Sequence, residues 1–153
     1  MSVSVTTRAP RDREVDGRDY HFVSEPEFEE KVREGCFVEH ARYSGTLYGT
    51  PRQPLEKALK EGLTYLLEID VQGALQVMEK YPDAVSIFIL PPDEDVLKKR
   101  LIGRNTDKDR DIAERLNLAK EELQFSSHYR YQVVNDRLEE ALEEVYKILE
   151  LKR

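Results

Sequence analysis

Several absences bound this 153-residue chain. It has one cysteine, Cys36, which cannot form an internal disulfide or a zinc cluster and points to a reducing compartment such as the cytoplasm. Its three histidines, His21, His40 and His128, lack metal-ligand spacing, so no histidine metal site is expected. No apolar run approaches the roughly 18 residues of a membrane span. The opening stretch, MSVSVTTRAPR, lacks the apolar core of a secretory signal, so neither a membrane nor an export role is expected. Basic residues are not in excess. The net charge is −7, which argues against a nucleic-acid polymer as partner, although a local arginine cluster can still hold a single phosphate. Glycine is sparse: none of the seven is followed by lysine.

With 39% hydrophobic and 36% charged residues, the chain is polar but periodic, as a folded domain requires. It changes character near residue 62. Before that point the elements are short. Residues 2–7 read as a strand or extended segment, and 8–19 as a charged loop. Ser24 and Glu27 have capping-box spacing for a helix ending at Gly35. Ser44-Gly45 joins two strands of a hairpin. Thr50 and Gln53 predict a second cap, for a helix ending near Gly62. After residue 62, strands at 64–69, 84–90 and 131–134 alternate with helices over 71–81, about 93–101, 112–123 and 136–149. That order predicts an α/β fold with a parallel sheet, its 84–90 strand buried on both faces. The last helix is expected to bury Leu138, Ala141, Leu142, Val145 and Leu149.

Four groups of residues carry chemistry. Arg8 and Arg11 can fork around a phosphate, or can sit on a solvated loop. Tyr20 and Tyr48, beside glycines, can donate to phosphate oxygens or fill a small core. Glu39, Glu68 and Asp70 stand at predicted strand ends. A carboxylate there accepts the N1–H and N2 amine donors of guanine together, a pair adenine does not offer, and Thr50 can serve the base's O6. Asp70 also stands where an open α/β sheet presents a Mg²⁺-holding acid, or else caps a helix. The basic segment KKRLIGRNTDKDR, with Arg115 beyond it, reads as a mobile lid over phosphates or as a solvated helix pair.

In their order, SVSVTTRAPR, DGRDYHFVS, GCFVEHARYSGTLYGTP, LLEIDVQGALQV, SIFILPP and VVND resemble the guanylate kinase family over essentially the whole chain. The resemblance implies one guanylate kinase-like domain over 1–153, with a small mixed α/β GMP-binding region over 1–62. Core and lid span 63–153, the lid being about 100–115. It implies a P-loop nucleoside monophosphate kinase-like parallel sheet with helices, and transfer of the γ-phosphoryl of ATP to GMP with Mg²⁺, in purine nucleotide metabolism. GMP would meet Ser4, Arg8, Arg11, Tyr20, Glu39, Tyr48, Gly49, Thr50 and Asp70. Arg100, Arg104 and Arg115 would be the catalytic lid arginines, and Arg104 and Asn135 would contact ATP. No protein metal site is implied.

The family's G-x-x-x-x-G-K-S/T motif is not in the chain. The first strand and P-loop helix are accordingly expected to be missing, in an N-terminally truncated form with impaired or absent catalysis but a GMP-binding pocket. The alternative expectation is a non-catalytic guanylate kinase-like module that binds phosphopeptides.

Overall fold

The computed structural model describes residues 1–103 and 109–150, the side chains of 109–112, 114 and 115 excepted. The chain forms two compact units, residues 1–82 and 83–153.

The first unit is built on a four-stranded sheet of order β2-β1-β4-β3, where β1 is Val5–Thr6, β2 His21–Phe22, β3 Phe37–Tyr43 and β4 Thr46–Pro51. β1 runs parallel to β2 and antiparallel to β4, and β3 and β4 form the hairpin. Its two-residue turn places Ser44 at φ 47° and Gly45 at φ 80°. Two successive positive φ values match the right-handed twist of the strands that the turn joins. Helix α1, Glu25–Arg33, starts in the expected capping box: the Glu27 amide donates to Ser24 Oγ (3.4 Å), and the Ser24 amide donates back to Glu27 (2.8 Å). Phe28 on α1 stacks on Phe37 with ring centroids 4.7 Å apart, and these two rings and Val5 form one core cluster.

The β3–β4 register is irregular between Phe37 and Glu39, where Phe37 opposes Pro51 and Glu39 opposes Thr50. A bulge breaks the alternation of a strand. Consequently Phe37, Val38 and Glu39 are all buried. Val38 enters a second cluster with Leu55 of α2 (Arg52–Lys60) and Val77 of α3 (Val71–Lys80).

The expected capping of α2 by Thr50 does not occur. Its N-cap is Pro51, with no side-chain bond, because Thr50 belongs to β4 and spends its hydroxyl on a buried carboxylate. Residues 64–69 form no strand either. Tyr65, Leu67 and Ile69 pack on the second cluster while Leu66 is exposed, so burial alternates as in an extended chain. A backbone bond from Ser2 N–H to Leu66 O (2.9 Å) is not a ladder. The strand expected over 2–7 is confined to Val5–Thr6 for the same reason.

The second unit pairs β5 (Ile87–Leu90) parallel to β6 (Tyr131–Val134), with α4 (Glu94–Gly103), α5 (Asp109–Leu123) and α6 (Leu138–Glu150). The expected three-stranded parallel sheet is thus a pair among the described residues, and β5 is not buried on both faces, with Ile89 49% exposed. Val133, Ala141 and Ile148 form this unit's core. Of the face predicted for α6, Leu138, Leu142 and Leu149 are exposed. The apolar stripe of the helix is wider than the strand surface it covers. No helix among the described residues is long and apolar enough to cross a membrane.

Candidate functional site

Strand β4 organises the site. Side chains two apart share a face of a strand, at about 7 Å spacing. Tyr48 and Thr50 therefore point one way and Gly49 the other, under the Phe28–Phe37 stack. A Cβ at Gly49 would stand 2.9 Å from the Phe37 ring, which is closer than carbon atoms approach, so glycine here serves packing.

At Thr50 the arrangement is a buried polar pair. Thr50 Oγ1 donates to Glu39 Oε1 at 2.6 Å, and Glu39 is only 3% exposed. The bulge in β3 puts the carboxylate there, and α3 closes over it. Asp70, the N-cap of α3, accepts from the Gly73 amide at 2.9 Å, and Gly73 lies directly against Glu39. Burial pushes the Glu39 carboxyl above the ordinary carboxylate range, opposed by the Thr50 bond, with Asp70 pushing further up and Lys80 down. Lys80, at the end of α3, donates to the Val38 carbonyl. Val5 of β1 pairs with Gly49 and Thr6 with Tyr48, so the antiparallel run leads from Val5 back to Ser4 toward the Thr50 end of β4.

At Tyr48 the arrangement is cationic and aromatic. The Arg8 guanidinium lies 5.4 Å from the Tyr20 ring centroid, and the Tyr20 and Tyr48 rings stand edge to face at 6.1 Å. Arg8 makes a bidentate pair with Glu14 (2.9 and 3.0 Å), and the nearby Tyr48 phenol helps to hold its charge. The same carboxylate accepts from the Arg11 amide at 2.7 Å, and Arg11 is exposed. Glu14 holds the Arg8 charge more firmly than usual, and Arg8 in turn holds the Glu14 carboxyl below its ordinary range. A guanidinium packed against the Tyr20 and Phe22 rings, with the Tyr48 phenol nearby, is a receptor for a phosphate, and a buried carboxylate about 7 Å along the strand is a receptor for paired N–H donors.

The sequence matches the guanylate kinase family model over residues 1–152. The chain belongs to the guanylate kinase family. It is 53% identical over 149 residues to the guanylate kinase of Lactococcus lactis, covering 97% of this chain and 73% of that protein. It is 52% identical over 152 residues to a guanylate kinase of Thermus thermophilus, covering 99% and 69%. The crystal structure of guanylate kinase from Anaplasma phagocytophilum superposes with a TM-score of 0.87 at 39% identity, covering 99% of this chain and 74% of that one.

In this family member the residues expected at GMP, Ser4 to Asp70, all fall in the first unit. Ser4, Glu39, Thr50 and Asp70 gather at one end of the β4 face, and Arg8, Tyr20 and Tyr48 at the other. Gly49 lies between them on the opposite face, and Glu68 is exposed. The remaining candidates fall in the second unit. The Asn135 amide donates to Leu90 O at 2.8 Å, which puts Asn135 at the C-terminal edge of the parallel pair, where such sheets bind ligands. Arg100 is exposed and reaches the neighbouring Asp136 carbonyl at 3.5 Å. Arg104 lies outside the described residues, as does the Arg115 side chain. Sequence reading missed Glu14, Gly73 and Lys80. Nothing local signals Gly73 or Lys80, since the contacts of both depend on β3. Glu14 was hidden among the charges of a loop read as solvated.

Proposed function

We propose that this chain binds GMP in the first unit and serves phosphoryl transfer from ATP to GMP, giving ADP and GDP. The observation that carries the proposal is the buried Glu39–Thr50 pair on the same strand face as the Arg8–Tyr20–Tyr48 cluster. Glu39, held in place by the Thr50 hydroxyl, accepts guanine N1–H and N2–H, Ser4 completes the base contacts, and Asp70 flanks them. Arg8, Arg11, Tyr20 and Tyr48 hold the phosphate. Arg100, Arg104 and Arg115 act on the phosphates of ATP, and Asn135 on its adenine. Such transfer needs alignment and charge neutralisation more than covalent help.

The residues present fit Mg²⁺ carried by the nucleotide. Among the described residues no cluster of three His, Cys, Asp or Glu side chains could hold a metal, and Asp70 commits one oxygen to the Gly73 amide. That is compatible with an ion bound by the nucleotide's phosphates and water, with Asp70 left to the base contacts. When bound, Mg²⁺ neutralises charge on the phosphoryl oxygens. Because the sequence has no G-x-x-x-x-G-K-S/T stretch, the finer form of the proposal is that these residues alone bind GMP and transfer from ATP poorly.

Calorimetry tests the reading. GMP should bind at least about 100-fold more tightly than AMP, since a site built for hydrogen-bond donors rejects a base that lacks them. Equal affinity for the two would refute it. A coupled assay for ADP formation from ATP and GMP tests the finer form, and turnover at the rate of a Lactococcus lactis control would overturn that part.

A further inference from the structure

Glu14 raises a question of sign. It occupies Arg8, the residue proposed to hold the GMP phosphate, and a carboxylate on that guanidinium either competes with phosphate or aims the guanidinium at it. The hydrogen-bond directions decide. Nη1 donates to the Ala9 carbonyl at 2.7 Å and to Glu14 Oε2 at 3.0 Å, which uses both of its hydrogens. Nη2 donates one hydrogen to Glu14 Oε1 at 2.9 Å. Glu14 therefore takes the end-on fork of the guanidinium. Glu14 leaves the lateral fork, made of Nε–H and the second Nη2–H, to the neighbouring Tyr48 phenol and to a phosphate that the two would share. A guanidinium can serve two oxyanions through these two edges at once.

The carboxylate is itself anchored. It accepts from the Arg11 amide at 2.7 Å, and the Glu14 amide donates to the Arg11 carbonyl at 3.1 Å, so residues 11–14 form a closed turn. The pair is mostly sheltered, with side chains 17% and 18% exposed, and the Arg8 guanidinium also faces the Tyr20 and Phe22 rings at 5.4 and 5.8 Å. One edge of Arg8 is thus clamped and one face packed, which restrains its orientation.

We infer that Glu14 is a positioning residue: it clamps the end-on edge of Arg8 and thereby presents the lateral edge, with Arg11 beside it, to the phosphate of GMP. This rests on the functional reading above and deepens it. Ordering the receptor before binding spares the ligand the cost of ordering it.

The test is calorimetric titration of the whole chain with GMP and with guanosine, which lacks the phosphate. Glu14→Gln is expected to weaken GMP about tenfold, since one strong charge-assisted contact is of that order. Guanosine affinity should change less than about twofold, because Glu39 and Thr50 are untouched. In an Arg8→Ala background the same substitution should have no further effect on GMP, because Glu14 acts through Arg8. Glu14→Asp, which keeps the charge but shortens the reach, should give an intermediate loss and serves if Glu14→Gln fails to fold. Tighter GMP binding by Glu14→Gln would overturn the inference and make Glu14 a competitor. So would unchanged GMP binding, an equal loss for GMP and guanosine, or a full further loss on Arg8→Ala. Failure of the unaltered chain to bind GMP would instead overturn the functional reading and this inference with it.

Discussion

Gly73→Ala is the perturbation that asks most of this structure. Gly73 stands in the first turn of α3, and a Cβ there would lie 2.9 Å from Glu39 Cδ and closer still to Oε2. The Glu39 side chain cannot swing away cheaply. It is 3% exposed, and its other oxygen accepts from Thr50 at 2.6 Å. Relieving the overlap by moving α3 costs about 1–3 kcal/mol, the usual range for overpacking. Relieving it by moving Glu39 strands a buried hydroxyl and carboxylate, at about 1–3 kcal/mol. Against either stands the helix preference of alanine over glycine, worth about 1 kcal/mol at most. The steric term wins, and a net loss of about 1–2 kcal/mol is expected. Native-state hydrogen exchange at the α3 and β3 amides reads this loss locally, without assuming that both units unfold together. GMP affinity should fall at least about tenfold, since Glu39 is displaced from its acceptor position. Exchange protection equal to or above that of the unaltered chain would show that α3 does not fix the carboxylate, and the account of the base site would be wrong.

Other substitutions test separate links. Because burial raises the Glu39 pKa, the folded state holds that proton more tightly than the unfolded state. Stability should therefore fall as pH rises from the ordinary carboxylate range through the raised value, and Glu39→Gln should remove this fall in urea titrations while erasing the preference for GMP over AMP. Lys80→Met deletes a cation that opposes the shift. It should move the fall to higher pH, and an unmoved profile would mean Lys80 serves only the Val38 carbonyl. Ser24→Ala breaks the capping box of α1 and should cost about 1 kcal/mol in thermal unfolding, without changing GMP affinity.

Local chemistry determined much of this protein from the sequence alone. The Ser24–Glu27 box, the Ser44-Gly45 turn and the cap of α3 by Asp70 formed where their residues predicted, because each closes over three or four residues and needs no distant partner. The order of the motifs likewise disclosed the family. Tertiary structure decided what depends on distant chain. Residues 64–69 have strand composition, but only a neighbouring strand makes a ladder, so they run extended without one. Thr50 carries a capping signal, but Glu39 lies across the hairpin and takes its hydroxyl. The bulge at Phe37/Glu39 buries a carboxylate that alternation alone would not single out. Nothing local signals the role of Gly73 until β3 is seen to press a carboxylate against it. Sequence carried the types of residue and their local turns. Which acid is buried, and which arginine edge is left to meet a phosphate, followed only once strands far apart in the chain were paired.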